Sequence, residues 1–356
     1  MPSLFDPLVA GEFRLRNRIV MAPLTRCRAG AGRVPTDLNL EYYVQRADAG
    51  MILTEATAVT PKGVGYPDTP GLWSNEQVVG WRKITDAVHA KGGLIVAQLW
   101  HVGRISDPIY LDGDLPVAPS PVQPAGHVTL VRPKRPFVTP RALGIEEIPG
   151  IVADYARAAA NAERAGFDGV EIHAANGYLI DQFLQDGTNL RTDAYGGSVE
   201  NRARFLLEVT DAVIDVRGPG RVGVHLAPRC DANDAGDSDP RAVFTHVAAE
   251  LAKRKVAFLF LRERIAEDSL LSEIKAIFGG VVIANEGLTR TSAEALLAAG
   301  TADAAAWGKA YIANPDLVAR LRADAPQNPL DPSTLYGNDN GPKGYTDYPA
   351  LEAAQA

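Results

Sequence analysis

The sequence predicts an α/β protein with a single domain over residues 1–356, in which eight parallel strands close into a (β/α)8 (TIM) barrel. Short apolar runs recur eight times along the chain, and amphipathic segments of helical length lie between most of them. A doubly wound open sheet is the alternative. No Gly-x-Gly-x-x-Gly motif follows an early strand, which argues against a dinucleotide-binding sheet of that kind.

The expected strands are short and aliphatic, as buried parallel strands are. In chain order they cover residues 18–23, 51–58, 94–99, 169–173, 222–226, 256–261, 281–284 and 302–307. Several of the expected helices begin with a capping residue or an early proline and end near a glycine. The clearest of them cover residues 75–91, 149–165, 198–217, 240–253, 291–299 and 315–322.

Three segments fall outside this alternation. Residues 8–15 predict a small hairpin that caps the N-terminal end of the barrel. Residues 108–140, after the third strand, are rich in proline and irregular, and loops of this length in compact domains are usually lids or binding loops. We therefore expect a substrate-side loop there, and a C-terminal tail over residues 336–356 that folds back over the structure.

Composition limits the classes of partner. The net charge is −7 and no block of basic residues stands out, so we expect no nucleic-acid partner. The first residues lack the features of a signal peptide, and no apolar run reaches transmembrane length, so we expect a cytoplasmic protein without a membrane partner. The six histidines form no recognisable ligand pattern, and no metal site is expected. Nothing in the sequence separates a monomer from a homodimer.

The segment from His173 to Tyr178 (HAANGY) begins at the last residue of an expected strand. In a barrel, side chains at the carboxyl ends of strands face the ligand. His173 and Asn176 are suited to hold together an oxygen that gains negative charge, and Tyr178 is suited to supply a proton. The alternative is an ordinary strand-to-loop turn with a satisfied histidine.

Other strand ends add polar groups to the same face of the barrel. Thr25 and Gln98 are neutral hydrogen-bonding residues that suit the polar edge of a flat heterocycle, or else satisfy backbone groups. Gly287, Gly308 and Lys309 follow the last two strands, where barrels commonly bind phosphate. The alternative is that they are ordinary loop residues.

Long motifs along the chain resemble the Old Yellow Enzyme family of flavin-dependent ene-reductases. They include PLTRCR from residue 23, AQLWHVGRIS from 97, HAANGYLIDQFL from 173, NLRTDAYGGSVENRARFLLEV from 189, GKAYIANPDLVARL from 308 and the closing GYTDYP. The resemblance runs in the same order from Leu4 to about Leu351. Thr25 in PLTR, rather than a cysteine, indicates the classical and bacterial xenobiotic-reductase-like branch, which includes N-ethylmaleimide reductase-like members.

The resemblance implies an enzyme that binds FMN at the barrel mouth, takes electrons from NADPH or NADH, and reduces the C=C bond of α,β-unsaturated carbonyl or nitro compounds. It implies that His173 and Asn176 hold the substrate oxygen and that Tyr178 donates the proton. The residues that it implies for FMN are Pro23, Thr25, Ala58, Gln98, His225, Asn285, Gly308 and Lys309. The residues that it implies for the substrate side are Tyr66, Trp100 and Tyr345.

Two positions depart from the family pattern. His225 and Lys309 stand where the family usually has arginine. Histidine is shorter than arginine and its charge depends on a pKa near 6.5, whereas arginine is always charged. His225 is therefore either protonated beside the flavin or accompanied by loose FMN binding. In a further alternative the barrel has been repurposed for a non-redox isomerisation or cyclisation with weak or no use of FMN.

Overall fold

The computed structural model describes residues 2–230, 232–337 and 341–351. In these ranges the strands, numbered along the chain, are β1 (Leu8–Ala10), β2 (Phe13–Leu15), β3 (Ile19–Met21), β4 (Met51–Leu53), β5 (Thr57–Ala58), β6 (Ile95–Trp100), β7 (Val117–Ala118), β8 (Arg141–Ala142), β9 (Gly169–Ala174), β10 (Val222–Leu226), β11 (Phe258–Arg262), β12 (Val281–Asn285) and β13 (Ala304–Trp307). The α-helices are α1 (Asp37–Val44), α2 (Asn75–Ala90), α3 (Ile148–Arg164), α4 (Leu179–Leu184), α5 (Val199–Arg217), α6 (Pro240–Arg254), α7 (Leu271–Phe278), α8 (Arg290–Ala299), α9 (Lys309–Ala313) and α10 (Leu317–Ala323).

Eight strands form a closed parallel barrel. The ring runs β3, β4, β6, β9, β10, β11, β12 and β13, and β13 pairs with β3 to close it. Each barrel strand overlaps one of the eight predicted runs, and the six predicted helices correspond to α2, α3, α5, α6, α8 and α10. The prediction of a (β/α)8 barrel is therefore confirmed.

The second predicted strand, residues 51–58, is divided in the structure into β4 and β5. The break centres on Glu55, whose backbone N–H donates to the Tyr43 hydroxyl at 3.0 Å instead of to a neighbouring strand. The Glu55 carboxyl accepts the backbone N–H of Arg26 at 3.1 Å. A buried carboxyl needs such partners, and they interrupt the strand pairing at this point.

The predicted hairpin is formed by β1 and β2, which pair antiparallel. The ring of Phe13 in this hairpin packs against that of Phe258, the first residue of β11, with ring centroids 5.9 Å apart. A Cβ added to Gly169, the first residue of β9, would lie 2.4 Å from the Phe13 ring, so the hairpin approaches closely only because that position is glycine. The hairpin thus caps the end of the barrel where the strands begin.

The barrel interior is filled by apolar side chains, among them Val20, Leu53, Val96, Phe260 and Ile283. A larger apolar cluster lies between the strands and the surrounding helices. With the interior packed and one end capped, a ligand site is left to the end where the strands finish. None of the helices in the described ranges is long and apolar enough to cross a membrane.

The described part of the C-terminal tail returns to the loop that follows β3. Arg26 donates to the carbonyl oxygens of Leu335 and Gly344, both at 2.8 Å. Arg28 donates to the carbonyl oxygen of Thr334 at 2.9 Å. Within the predicted tail, residues 338–340 and 352–356 lie outside the described residues.

Candidate active site

A cavity of about 660 Å³ opens at the carboxyl ends of the barrel strands. It brings together most of the residues that the sequence nominated, although these are up to 286 positions apart in the chain, from Pro23 to Lys309. The nominated residues that line it are Pro23, Thr25, Tyr66, Gln98, His173, Asn176, Tyr178, His225, Asn285, Gly287, Gly308 and Lys309.

His173 and Asn176 lie side by side at the end of β9. The Asn176 amide nitrogen is 3.4 Å from Nε2 of His173, so an oxygen between them can accept from the amide and, in the tautomer with the proton on Nε2, from the imidazole as well. Asn176 has a φ of +60°, a left-handed conformation that asparagine tolerates better than most residues, and this turn directs its amide toward His173. Burial, with a contribution from His225, lowers the pKa of His173 well below its usual value, so the imidazole is neutral.

Tyr178 completes the group on the substrate side. Its hydroxyl lies 2.8 Å from the Tyr66 hydroxyl, and its ring packs edge-on against Trp100 at 5.0 Å. Burial, followed by the effect of Tyr66, raises the pKa of Tyr178 well above its usual value. The phenol therefore keeps its proton at neutral pH and can serve as an acid.

A neutral hydrogen-bonded set lies at the base of the cavity. The Gln98 amide nitrogen donates to Glu171 at 2.6 Å and to Nδ1 of His225 at 3.2 Å. Burial raises the pKa of Glu171 to about 8 and lowers the pKa of His225 to about 3. Although His225 Nδ1 is 3.8 Å from the Glu171 carboxyl, the two do not form an ion pair at neutral pH, since both burial effects favour the uncharged forms.

The acceptor role of Nδ1 fixes the tautomer of His225. With Nδ1 accepting from Gln98, the proton of the neutral ring lies on Nε2, which is buried and has no hydrogen-bond partner within the described ranges. A buried donor without a partner indicates a place for a ligand acceptor. Of the alternatives for His225, burial therefore favours the uncharged ring, which offers a neutral N–H.

The opposite end of the cavity is lined by loop residues after β12 and β13. Asn285 is held by a bond from its amide nitrogen to the carbonyl oxygen of Ala306 at 2.8 Å. A Cβ added to Gly308 would lie 2.8 Å from the end of the Leu24 side chain, so a larger residue there would displace Leu24, which also lines the cavity. Lys309 follows directly and brings a positive charge to this end.

Three predicted contacts are placed elsewhere. Tyr345 does not line the cavity: it is fully buried, stacks on Tyr42 at 4.1 Å and accepts from Asn39 at 3.0 Å. Tyr336, the first residue of the predicted tail, lines the cavity instead. The structure thus places Tyr345 in the core, against the prediction that it lines the substrate side, and Tyr336 in the cavity lining.

Ala58 and Trp100 also lie outside the cavity lining. Ala58 is fully buried in β5, and Ala56, two residues earlier, lines the cavity in its place. Trp100 is 1% exposed and packs behind the phenols, with its ring centroid 5.4 Å from that of Tyr66. It supports the substrate side without facing it.

Arg262 and Glu286 line the cavity and were not nominated from the sequence. Arg262 is the last residue of β11, one position beyond the predicted end of that strand. The rule that polar residues at strand ends form the site would have found Arg262 had the strand been extended by one residue.

Comparison with known proteins agrees with this geometry. The sequence model of the NADH:flavin oxidoreductase / NADH oxidase family matches residues 3–328. The chain belongs to this family. The solved structures that the chain resembles include an Old Yellow Enzyme homologue, so the resemblance based on the motifs is confirmed.

Three relatives illustrate the similarity. A Leishmania infantum protein named "Probable flavin mononucleotide-dependent alkene reductase" is 44% identical, with 98% of this chain and 97% of that protein covered. The Old Yellow Enzyme homologue of Zymomonas mobilis has a TM-score of 0.95 and 46% identity, covering 98% of this chain and 100% of that one. Morphinone reductase in complex with tetrahydroNAD has a TM-score of 0.96 and 47% identity, covering 100% and 99% of the two chains.

The residues present fit FMN, the flavin nucleotide of the family. The buried Nε2 of His225 offers a donor to an acceptor atom of a flat ring, and Thr25 and Gln98 add neutral polar groups beside it. Lys309 lines the other end of the cavity, and its ammonium group suits a phosphate there. The departure from arginine at His225 and Lys309 thus leaves a cavity with donors at both ends.

Proposed function

We propose that the chain is an FMN-dependent ene-reductase that uses NADPH or NADH to reduce the C=C bond of α,β-unsaturated carbonyl or nitro compounds. The observation that carries the proposal is the grouping of two neutral donors, His173 and Asn176, with the protonated phenol of Tyr178 in one cavity. We further propose that it acts on small molecules in the cytoplasm, as a monomer or homodimer.

FMN bound in the cavity would supply the hydride, after reduction by the nicotinamide. We expect its ring to be held by Pro23, Thr25, Ala56, Gln98 and His225, and its phosphate end by Asn285, Gly308 and Lys309, all of which line the cavity. Since His225 is neutral, it holds an acceptor atom by a hydrogen bond and adds no charge.

His173 and Asn176 act on the substrate oxygen. When hydride adds to the β-carbon, negative charge develops on the carbonyl or nitro oxygen. Two preorganised donors stabilise that charge, and the loss of one such donor typically costs about 3 kcal/mol. Neutral donors suit this role because they bind the substrate without first having to lose a competing ion pair.

Tyr178 holds the proton that the α-carbon needs. Its raised pKa keeps the phenol protonated until the neighbouring carbon becomes basic. Tyr66, at 2.8 Å, is placed to stabilise the phenolate that remains after the transfer. Trp100 packs against both rings and fixes their positions.

The non-redox alternative has no support from the relatives above, whose names all describe reductases or Old Yellow Enzyme homologues. The donor pair and the acid are those that an ene-reduction requires. The replacement at His225 bears on how strongly FMN binds, and a spectrum of the purified protein shows whether FMN is retained through purification.

The test begins with the visible absorbance of freshly purified protein, which should show oxidised flavin. Turnover of cyclohexenone, a nitroalkene and maleimide is then measured with NADPH and with NADH, for the wild type and for Tyr178→Phe. Without the phenol, reduction of cyclohexenone should slow by about 10²–10⁴-fold, the usual contribution of a general acid. Flavin reduction by the nicotinamide, measured alone, should change little.

A protein that takes up no flavin from excess FMN, or that oxidises no nicotinamide with any of the three acceptors, would contradict the proposal. If Tyr178→Phe instead abolished flavin reduction, the role assigned to Tyr178 would be wrong. Tyr110→Phe is the matched control, because that phenol bonds to the carbonyl oxygen of Thr129 and does not line the cavity.

A further inference from the structure

Arg262 lies next to the donor pair, on the neighbouring side of the cavity. It ends β11, and its side chain is 35% exposed. Its Nη1 donates to Oδ1 of Asn176 at 2.8 Å, and its Nε donates to Glu286 at 2.5 Å. One guanidinium therefore connects the end of β9 to the loop after β12.

The bond to Oδ1 determines which way the Asn176 amide faces. An amide has an accepting end and a donating end, whereas a guanidinium can only donate. Arg262 therefore selects the rotamer in which Oδ1 points to it and the amide nitrogen points toward His173. In the opposite rotamer the amide would present an oxygen to the substrate oxygen, and the two would repel.

Arg262 is itself held in place. Arg262 pairs with Asn285 of β12 in the parallel sheet, and Glu286 directly follows Asn285 in the chain. Glu286 has a φ of +103°, which is strained for a residue with a side chain. This turn brings its carboxylate to Nε of Arg262 and leaves Nη1 directed at Asn176.

The charge of Arg262 also matters because the imidazoles beside it carry none. Burial keeps both His173 and His225 neutral. Arginine remains charged at all relevant pH values. A cationic donor on Oδ1 draws electron density from the amide and makes its N–H groups stronger donors.

We propose that Arg262 is a positioning residue for the reaction: through its bond to Oδ1 it orients and polarises the Asn176 amide, so that the amide N–H faces the substrate oxygen. The inference rests on the proposed role of Asn176 in holding that oxygen. It adds a residue that acts through Asn176 and does not itself contact the reacting atoms.

The test measures binding of p-nitrophenolate to the FMN-loaded protein, since a phenolate oxygen mimics the oxygen that gains charge. Arg262→Met should weaken binding by about tenfold, the effect of losing one charge-assisted hydrogen bond. In the Asn176→Ala background the same substitution should change binding by less than about twofold, because non-additivity is expected of residues that act through one another. Arg262→Lys, which keeps a cationic donor, should restore part of the affinity.

Two outcomes would overturn the inference: no weakening by Arg262→Met, or equal weakening with and without Asn176, which would mean that the guanidinium acts on the ligand by charge alone. Arg241→Met is the control for net charge, since Arg241 is exposed and pairs with Glu273. Flavin content and thermal unfolding show that each variant is folded. If Asn176→Ala alone left phenolate binding unchanged, the proposed function of Asn176 would fail, and this result is separate from either outcome for Arg262.

Discussion

The neutral state of His225 is decided by burial, which the sequence does not specify. From the sequence, a histidine in place of arginine allowed a protonated ring beside the flavin. In the structure the ring is 3% exposed and its neighbour Glu171 is itself uncharged, so nothing compensates the cost of a charge. The site has lost a cation at this position and kept a donor.

Replacing His225 by arginine should return that cation. We expect His225→Arg to raise the reduction potential of bound FMN by about 30 mV, which corresponds to about 1.4 kcal/mol for two electrons, because a positive charge favours the more negative reduced flavin. Equilibration with a reference dye measures the potential. His225→Gln retains a neutral N–H donor and should stay close to the wild type; a potential for His225→Arg equal to that of His225→Gln would contradict the expectation.

Individual site residues were predictable where one strand end carries them together. His173, Asn176 and Tyr178 lie within six residues, and the strand before them fixes where they point. Choosing between Tyr336 and Tyr345 depends instead on the path of the tail, because both are aromatic residues in a polar segment. Only the contacts of the folded tail separate them.

At the scale of elements, the barrel strands were predictable because each is a short apolar run. The helices that the sequence analysis missed have weaker signals. In α4, all six residues from Leu179 to Leu184 are buried, so the segment lacks the polar face that marks an amphipathic helix. Thr36 and Asn39 form a capping box at the start of α1, but the apolar residues Leu38, Leu40 and Tyr42 alternate as they would in a strand, so the segment shows no helical period.

The link between the tail and the loop after β3 can be tested at Arg26. Arg26→Met removes the bonds to Leu335 and Gly344 and leaves buried carbonyl oxygens without a donor. We expect the segment that carries Tyr336 to loosen, so that KM for the alkene rises several-fold while flavin content stays near that of the wild type. Steady-state kinetics and limited proteolysis of the tail measure the two effects.

Arg14→Met serves as the comparison, since Arg14 is exposed on the hairpin at the other end of the barrel. An unchanged KM in Arg26→Met, together with unchanged proteolysis, would mean that the tail is held by other contacts. The stacking of Tyr345 on Tyr42 is the first of these to examine.

For the molecule as a whole, buried carboxyls set how stability changes with pH. Burial raises the pKa of Glu55 to about 7, of Asp181 to about 7 and of Glu171 to about 8. In the unfolded chain such groups ionise near pH 4. Between these values the folded protein binds more protons than the unfolded one, so the free energy of unfolding decreases as pH rises from about 4 to about 8.

Glu171→Gln removes one of these groups and keeps an acceptor for Gln98. We expect the melting temperature of the variant to fall less steeply than that of the wild type between about pH 5 and about pH 8, because one fewer proton is lost on unfolding. Thermal unfolding with excess FMN at each pH gives the two slopes. Glu267→Gln, at an exposed position, should leave the slope unchanged, and parallel slopes for Glu171→Gln would show that Glu171 ionises alike in both states.

The fold of the whole molecule was predictable because strand and helix segments alternate along the chain. A count of eight strands favours a closed barrel. The depth of burial at Glu171, Gln98 and His225 depends on how side chains from three different strands meet inside the barrel. These side-chain contacts join residues that are far apart in sequence. They decide charge states, which is why the fold was predictable while the electrostatics of the site were not.

The hairpin that seals one end of the barrel has a kinetic consequence. Because Phe13 covers that end and the interior is packed, we expect the nicotinamide and the alkene to reach bound FMN through the same cavity at the strand ends. Nicotinamide and alkene must then take turns, each leaving before the other enters. An excess of either reactant then occupies the cavity and slows binding of the other, so each acts as a competitive inhibitor at high concentration.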